Sequence, residues 1–330
     1  DSPKNPSGGV IGVFPGFTSA YAQQFNLGVQ HEILPWQMVV KASLVGNLGR
    51  RLGTTLDLNQ PLPGPGDANP RRAFFAVRPG LAGISYAVSD GLSSYLSGQL
   101  EANKRMSHGL SMLFGYTWAH GIDDVGTEFG GGTGTPQDIR NRRADRGNSV
   151  YDIRHRATVG YSYQLPFGKG KKFADRGGAA NFLVGGWRTS GFLTMQTGLP
   201  FTVGHSGANT GGAGGSRANF VRDATLPSDQ RSLDRWFDIT AFGQPALYTF
   251  GNLGRNTLYG PGRWNWDMTL SKNFPIGERL KAEFRADALN VFNHPQFGQP
   301  ASTIGSGQPG RITSIVGNPR LLQLVLRVEF

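Results

Sequence analysis

Apolar and polar residues alternate with period two in about nine separate stretches of the chain, bounded by turn signals. Successive side chains of a strand point to opposite faces, so each stretch predicts a strand with one apolar and one wet face. In the last stretch Leu322, Leu324, Leu326, Val328 and Phe330 form one row, and Gln323, Arg327 and Glu329, with Val325, form the other. The first hairpin sets Tyr21, Phe25, Leu27, Val29 and Ile33 beside Trp36, Met38, Val40, Ala42 and Leu44 across Leu34-Pro35. The second pairs Leu96, Leu100, Ala102 and Met106 with Leu110, Met112, Phe114, Tyr116 and Trp118 through Ser107-His108-Gly109. A fifth strand places Ile153, Ala157, Val159, Tyr161, Tyr163 and Leu165 opposite Arg154, Arg156, Thr158, Ser162 and Gln164. Its return carries Trp187, Leu193, Met195 and Leu199, with Phe192 breaking the polar row of Arg188, Ser190, Thr194 and Gln196. Trp264, Trp266, Met268, Leu270 and Phe274 lead through Pro275-Ile-Gly277 to Leu280, Ala282, Phe284, Ala286 and Ala288. The last of these strands carries Lys281, Glu283, Arg285 and Asp287 on its other face.

The connections are asymmetric. Those after the first, third and seventh strands are tight, and the one after the fifth is intermediate. Those at 47–93, 121–152, 203–263 and 294–320 are long and rich in Gly, Pro and Asn. Pro61, Pro63, Pro65, Pro70 and Pro79 exclude central strand from the first of these, and Gly130–Gly134 and Gly211–Gly215 read as loop tips. Short turns at one end and long loops at the other are the layout of an up-and-down outer-membrane barrel. Aromatic residues recur near strand ends (Trp36, Tyr116, Trp118, Trp187, Trp264, Trp266, Phe292, Phe330), where amphipathic rings favour a membrane–water boundary. The expected fold is therefore all-β, an antiparallel transmembrane barrel. Residues 1–20 would be the end of an external loop and 21–330 the barrel portion. An odd number of meander strands leaves the first and last running in the same direction, so antiparallel closure needs further strands. The chain is accordingly expected to be a C-terminal fragment of a larger barrel, with any plug outside it. Two rivals use the same rows differently, a surface or secreted β-sandwich module for binding or adhesion, and a passive porin.

Composition narrows the function. Glycine is abundant at 49 residues, charged residues are only 17% and cysteine is absent, which removes disulfides and thiolate metal sites. No apolar run approaches the ~18 residues of a membrane-spanning helix, which leaves barrels untouched. The net charge of +11 is spread along the strands without a helical, zinc or RNA-recognition signature, so nucleic acid is not an expected partner. His31, His108, His120, His155, His205 and His294 are scattered without ligand spacing, so no catalytic residue, metal site or cofactor is expected. His120 with Asp123 and Asp124 could hold a cation, but loop solvation accounts for them better. In Asp152-Ile-Arg-His155 a boundary or loop-anchoring role is expected. Gly168-Lys-Gly-Lys lacks the spacing of a phosphate loop.

Several short stretches, in order, resemble the C-terminal barrel of TonB-dependent outer-membrane receptors. They are Tyr116-Thr-Trp-Ala, Asp152-Ile-Arg-His155 with Gln164-Leu-Pro-Phe-Gly168, and Gly185-Gly-Trp-Arg188 with Gln196-Thr-Gly-Leu-Pro200. Later come Gly251-Asn-Leu-Gly-Arg255, Gly260-Pro-Gly262, Trp266-Asp267, Ser271-Lys-Asn-Phe274 and the run from Phe284 to Phe297. Within that family the chain is most similar to Oar-like receptors with a carboxypeptidase-regulatory-like domain. The resemblance implies a barrel of about 22 strands with an N-terminal plug. It also implies TonB-dependent uptake of a scarce solute, with partners in outer-membrane lipid, the barrel-assembly machinery and an inner-membrane energy-coupling complex. Lumenal candidates are Arg154, Arg156, Lys281, Glu283, Arg285 and Asp287. The favoured reading of these residues is structural, as alternating charges that hold neighbouring strands and the plug in register. The row Leu322, Leu324, Leu326, Val328 and Phe330 resembles the family's membrane-assembly signal.

Overall fold

The computed structural model describes residues 8–125, 136–175, 177–275 and 281–329. Its main strands are β1 (Gly8–Val13), β2 (Tyr21–Ile33), β3 (Met38–Asp57), β4 (Leu81–Ser107), β5 (Leu110–Asp123), β6 (His155–Gln164), β7 (Trp187–Gln196), β8 (Arg263–Pro275), β9 (Lys281–Leu289) and β10 (Leu321–Glu329). From β2 to β10 each strand pairs antiparallel with the next in sequence, giving one uninterrupted meander. One large sheet carries all the main strands, beside three two-stranded ladders in the connections, so the sandwich arrangement of two packed sheets is not the architecture. Among the described residues β2 and β10 are edges that do not pair with each other.

Register joins the apolar rows of neighbouring strands into one face. Trp187, Lys272, Phe284 and Leu326 lie opposite one another across β7 to β10, as do Thr189, Leu270, Ala286 and Leu324 in the next row. Leu324 and Leu326 are 73% and 71% exposed, so the row has no protein covering it and faces outward. Eight residues from Leu321 to Val328 rise about 25 Å, the height of an apolar barrel band. The polar rows form the opposite face.

Three segments depart from the sequence expectation. The loop expected over 47–93 shrinks to 58–80, which still holds all five prolines, because β3 and β4 run on for 20 and 27 residues. A bilayer crossing takes about 9–11 tilted residues, so this hairpin projects well beyond the band. Past the band neither face meets hydrocarbon, and the alternation that marks a strand in sequence disappears. Second, residues 8–13, inside the segment expected as loop, form β1, which pairs parallel with Leu81–Ala87 of β4. It occupies the side of β4 that β5 leaves vacant beyond Ser93–Asp123.

Third, the connection from β7 to β8 is ordered. Phe201, Val203, Ala218, Ala224, Phe237, Ala241, Phe242, Leu253 and Leu258 form a hydrophobic core within it. Two-residue ladders, Pro200–Phe201 with Leu258–Tyr259 and Asn219–Phe220 with Phe242–Gly243, brace that core. Its apolar residues have no fixed period, so periodicity could not announce it. Gly130–Gly134 falls outside the described residues, and so do Ile276 and Gly277 of the expected short turn.

Phe237 sits at the centre of this core, with its ring 5.7 Å from Phe201 and 5.9 Å from Phe242. Phe237→Ala should destabilise the loop by about 3–5 kcal/mol. Limited proteolysis should then cut within 197–262, while the heat-modifiable gel mobility of the barrel stays unchanged.

Candidate functional site

The long connections fold together above the polar face, and buried polar side chains join them. Asp152 is the hub. Its carboxylate accepts the Gly121 amide (2.7 Å), the Tyr259 hydroxyl (2.6 Å) and the Arg154 Nε (3.0 Å), and His120 Nδ1 stands 3.3 Å away. One carboxylate thus ties the end of β5, the approach to β6 and the β7–β8 connection. Burial, and then the hydrogen bond to Asp152, push the Tyr259 phenol up to about 12.

A second group of contacts lies alongside. Arg255 pairs with Asp123 and donates to the Asp145 carbonyl (2.8 Å), while Arg217 pairs with Asp145. Gln137 donates to the Gly251 carbonyl (3.0 Å) and accepts the Arg217 amide (3.2 Å), and Gln60 donates to the Gln137 and Ala213 carbonyls (2.9 and 2.8 Å). Asn148 and Asn256 exchange side-chain-to-carbonyl bonds, each 2.8 Å. Asn256 holds a left-handed backbone (φ 55°), a conformation that asparagine tolerates. Most of these buried groups compensate one another, the condition for placing them away from water, while Asp145 Oδ2 and Arg255 Nη1 have no partner among the described residues.

The short sequence stretches that resembled a family take on physical roles here. In Gln196-Thr-Gly-Leu-Pro200, Thr197 Oγ1 accepts the His155 amide (3.1 Å), and a Cβ on Gly198 would collide with the Gly260 carbonyl. A Cβ on Gly251 would strike the Arg217 carbonyl. Asn290 accepts the His294 amide (2.9 Å), Gln296 reaches the Trp264 carbonyl, and the His294 ring lies 4.4 Å from Trp264. Most of these stretches clasp loops to strand ends. Asp152-Ile-Arg-His155 anchors loops as expected, and His155, on the outer row, meets the Tyr116 hydroxyl at 2.8 Å.

The lumenal candidates separate into three places. Arg154 is drawn into the Asp152 hub. Arg156 is exposed at the mouth, in register with Gln196, which in turn faces Arg263 on β8. Arg285 and Asp287 lie down the wall, paired at 2.9 Å, with Thr269 Oγ1 donating to Asp287 at 2.7 Å. With Arg188, Ser190, Asp267 and Gln323 they line a cavity of about 670 Å³ on the polar face. Glu283 sits opposite Arg327 in the ladder. The Lys281 side chain and Phe330 fall outside the described residues. The rest of the terminal row, Leu322, Leu324, Leu326 and Val328, is exposed on the outer face.

His120, Asp123 and Asp124 do not converge, since Asp123 belongs to Arg255 and Asp124 accepts the Leu92 amide at 2.7 Å. The wall group of Arg188, Arg285, Asp287 and Thr269 combines two guanidinium donors with acceptors over open space. It can bind a polar solute by charge-assisted hydrogen bonds. Sequence reading placed these residues on the polar rows but could not bring Arg188 to Arg285, because adjacency depends on register. A second cavity, about 470 Å³, opens between the loops among Asp57, Gln60, Arg72, Gln137, Thr202 and Arg217.

A sequence family described as Outer membrane beta barrel domain matches residues 1–323. No curated protein matches the sequence. Among solved structures, the chain is similar to the ferric-catecholate import receptor Fiu of E. coli K12, with 11% identity and a TM-score of 0.44 over 95% of this chain and 28% of that one. It is also similar to the outer membrane transporter YddB of Escherichia coli, with 10% identity and a TM-score of 0.48 over 96% of this chain and 33% of that one. BauA, the ferric preacinetobactin receptor of Acinetobacter baumannii, gives 14% identity and a TM-score of 0.45 over 94% and 29%. The chain spans about a third of the length of these proteins.

Because the folded value of Tyr259 lies above the ordinary 10, the contact between its hydroxyl and Asp152 is fully present below pH 10. It is lost as pH rises toward about 12. Protease resistance of the loop layer should therefore decline over that window in the wild type. Tyr259→Phe should start lower and show no such decline.

Proposed function

The chain belongs to the outer membrane beta barrel domain family, and on that premise we propose that it is the C-terminal barrel portion of a TonB-dependent receptor taking up a scarce solute. The protein resides in the outer membrane of a Gram-negative bacterium, where the exposed apolar band meets lipid. The observation that carries the uptake reading is the ordered loop layer at one end of the meander, with a polar wall cavity beneath it. A passive pore gains nothing from a loop connection with its own hydrophobic core and a buried ion-pair network. A receptor that holds its solute at the mouth does.

In this reading the solute contacts the loop layer and then the wall at Arg188, Thr269, Arg285 and Asp287. Arg156 and Glu283 extend the polar surface, together with Lys281, placed on the same row by its sequence position. Further strands outside these 330 residues would complete the barrel, pairing with β2 and β10, because unpaired strand edges in lipid leave backbone groups unsatisfied. A plug and an energy-coupling segment would likewise lie outside this chain and engage the inner-membrane complex. The motif run favours an Oar-like receptor. The row Leu322, Leu324, Leu326, Val328 and Phe330 serves as the signal for the barrel-assembly machinery. No nucleic acid, cofactor or metal enters the mechanism, and the protein acts without catalysing a reaction.

Two measurements test this. The full-length protein should bind the periplasmic domain of the energy-coupling protein in a pull-down, and no binding would remove the TonB dependence. Deleting Phe330 should lower the heat-modifiable outer-membrane fraction about tenfold, since in sequence the aromatic ends the apolar alternation of Leu322, Leu324, Leu326 and Val328. Unchanged assembly would remove the signal role.

A further inference from the structure

The connection between β6 and β7 sits at the short-turn end and carries the helix α1 (Gly178–Val184). Seven residues are too few to hold a helix alone, so tertiary contacts fix it. They place it on the outer face. Phe182 packs on Phe274 with ring centroids 5.1 Å apart, and Trp187 Nε1 donates to the Leu183 carbonyl at 3.0 Å. Lys272, on the outward row, is buried beneath α1, where its Nζ donates to the Leu183 and Gly185 carbonyls. The ammonium also stands 5.4 Å from the Trp187 ring and 5.0 Å from the Phe274 ring. A lysine on a lipid-facing row is thereby satisfied by the carbonyl end of the helix and by two aromatic faces.

The preceding turn is locked to the same unit. Asn181 Oδ1 accepts the Lys169 amide at 2.7 Å, and Gly168, at φ 110°, packs where a Cβ would meet Asn181 and Gly185. This unit presents two kinds of surface. Phe182, Leu183 and Val184 are exposed, Leu183 to 66%, and they continue the outward apolar face. Beside them Lys169, Lys171 and Lys172 are exposed and form no ion pair among the described residues. The one acid in the connection, Asp175, already accepts the Gly170 amide at 2.7 Å. Phe167 and Phe173 pack with tilted rings, their centroids 5.8 Å apart.

We propose that this turn and helix form a membrane-interface anchor, with Phe182, Leu183 and Val184 inserted at the headgroup–acyl boundary and Lys169, Lys171 and Lys172 binding anionic phospholipid headgroups of the leaflet at the short-turn end. Continuity with the apolar band fixes the depth, and three ammoniums without an ion-pair partner among the described residues, Lys172 lying 5.4 Å from the Phe173 ring, fix the sign of the headgroup. The proposal rests on the outer-membrane reading above.

The chain contains no cysteine, so single ones report position. In the full-length protein reconstituted in vesicles, bimane would be attached at Leu183→Cys and, as a control within the band, at Leu324→Cys. Phosphatidylglycerol or phosphatidylcholine bearing a shallow nitroxide would be added at equal mole fraction. Both probes should be quenched, and quenching at 183 should be about twofold stronger or more with phosphatidylglycerol. Lys169→Gln, Lys171→Gln and Lys172→Gln together should equalise the two lipids while leaving heat-modifiable mobility unchanged. Quenching at 324 without quenching at 183 would overturn the anchor and leave the membrane reading standing. Equal quenching at 183 by both lipids in the wild type would overturn the headgroup selection. Silence at both positions would overturn the membrane reading and the anchor with it.

Discussion

Backbone amides and carbonyls cannot be left unpaired where no water reaches them, and nearly everything else in this molecule follows from that constraint. It requires a continuous ladder across the apolar band, and the meander from β2 to β10 supplies one without a break. A continuous ladder fixes the side-chain parity of every strand at once. A single choice of face then makes Leu326, Phe284 and Trp187 lipid-facing, and places Glu283, Arg285 and Arg188 on the opposite side. The two lysines that break the outward rows show how strict the rule is. Both lie near the short-turn end, and both are tied to carbonyls, Lys272 under α1 and Lys104 to Trp36 at 3.0 Å. Long stems let their charges leave the hydrocarbon without moving the backbone.

Above the band the governing physics changes. Water is available, regular pairing is no longer obligatory, and the connections are held by side chains. Asp152, Asp145 and Asp123 each serve groups from sequence-distant segments, so a few carboxylates do the work that the ladder does below. Arginine suits this role, because its planar fork can satisfy a carboxylate and a carbonyl together, as Arg255 does with Asp123 and Asp145. The result is a cross-braced loop layer over a polar wall.

How much could be read from sequence tracks this division. Where one face meets lipid and the other a polar space, alternation is forced, and Leu322–Val328, Ala282–Ala288 and Ala157–Tyr163 were legible residue by residue. Where neither face of β3 and β4 meets hydrocarbon, nothing forces alternation, so Asn47–Asp57 and Leu81–Ser93 read as loop despite being strand. The loop core was illegible for a different reason, since Phe201, Phe237 and Phe242 come together through ladders of two residues. At the candidate site the parity of Arg285 and Asp287 was legible, but their neighbourhood with Arg188 and Thr269 was not. Arg154 shares that parity and was nonetheless drawn away by Asp152.

The core of the β7–β8 connection has a consequence for assembly. All nine of its buried residues come from one segment, between Phe201 and Leu258, but Ile304 of the β9–β10 connection packs against them and Gly204–His205 pairs with Thr303–Ile304. The strands below must instead find partners in an order set by insertion. Contacts local in sequence form early and cost little loop-closure entropy. The loop core can therefore begin within its own segment, but it is completed only when the β9–β10 connection reaches it. Chain entropy thus ties the finished loop layer to the last connection of the sheet, about 100 residues further along the chain.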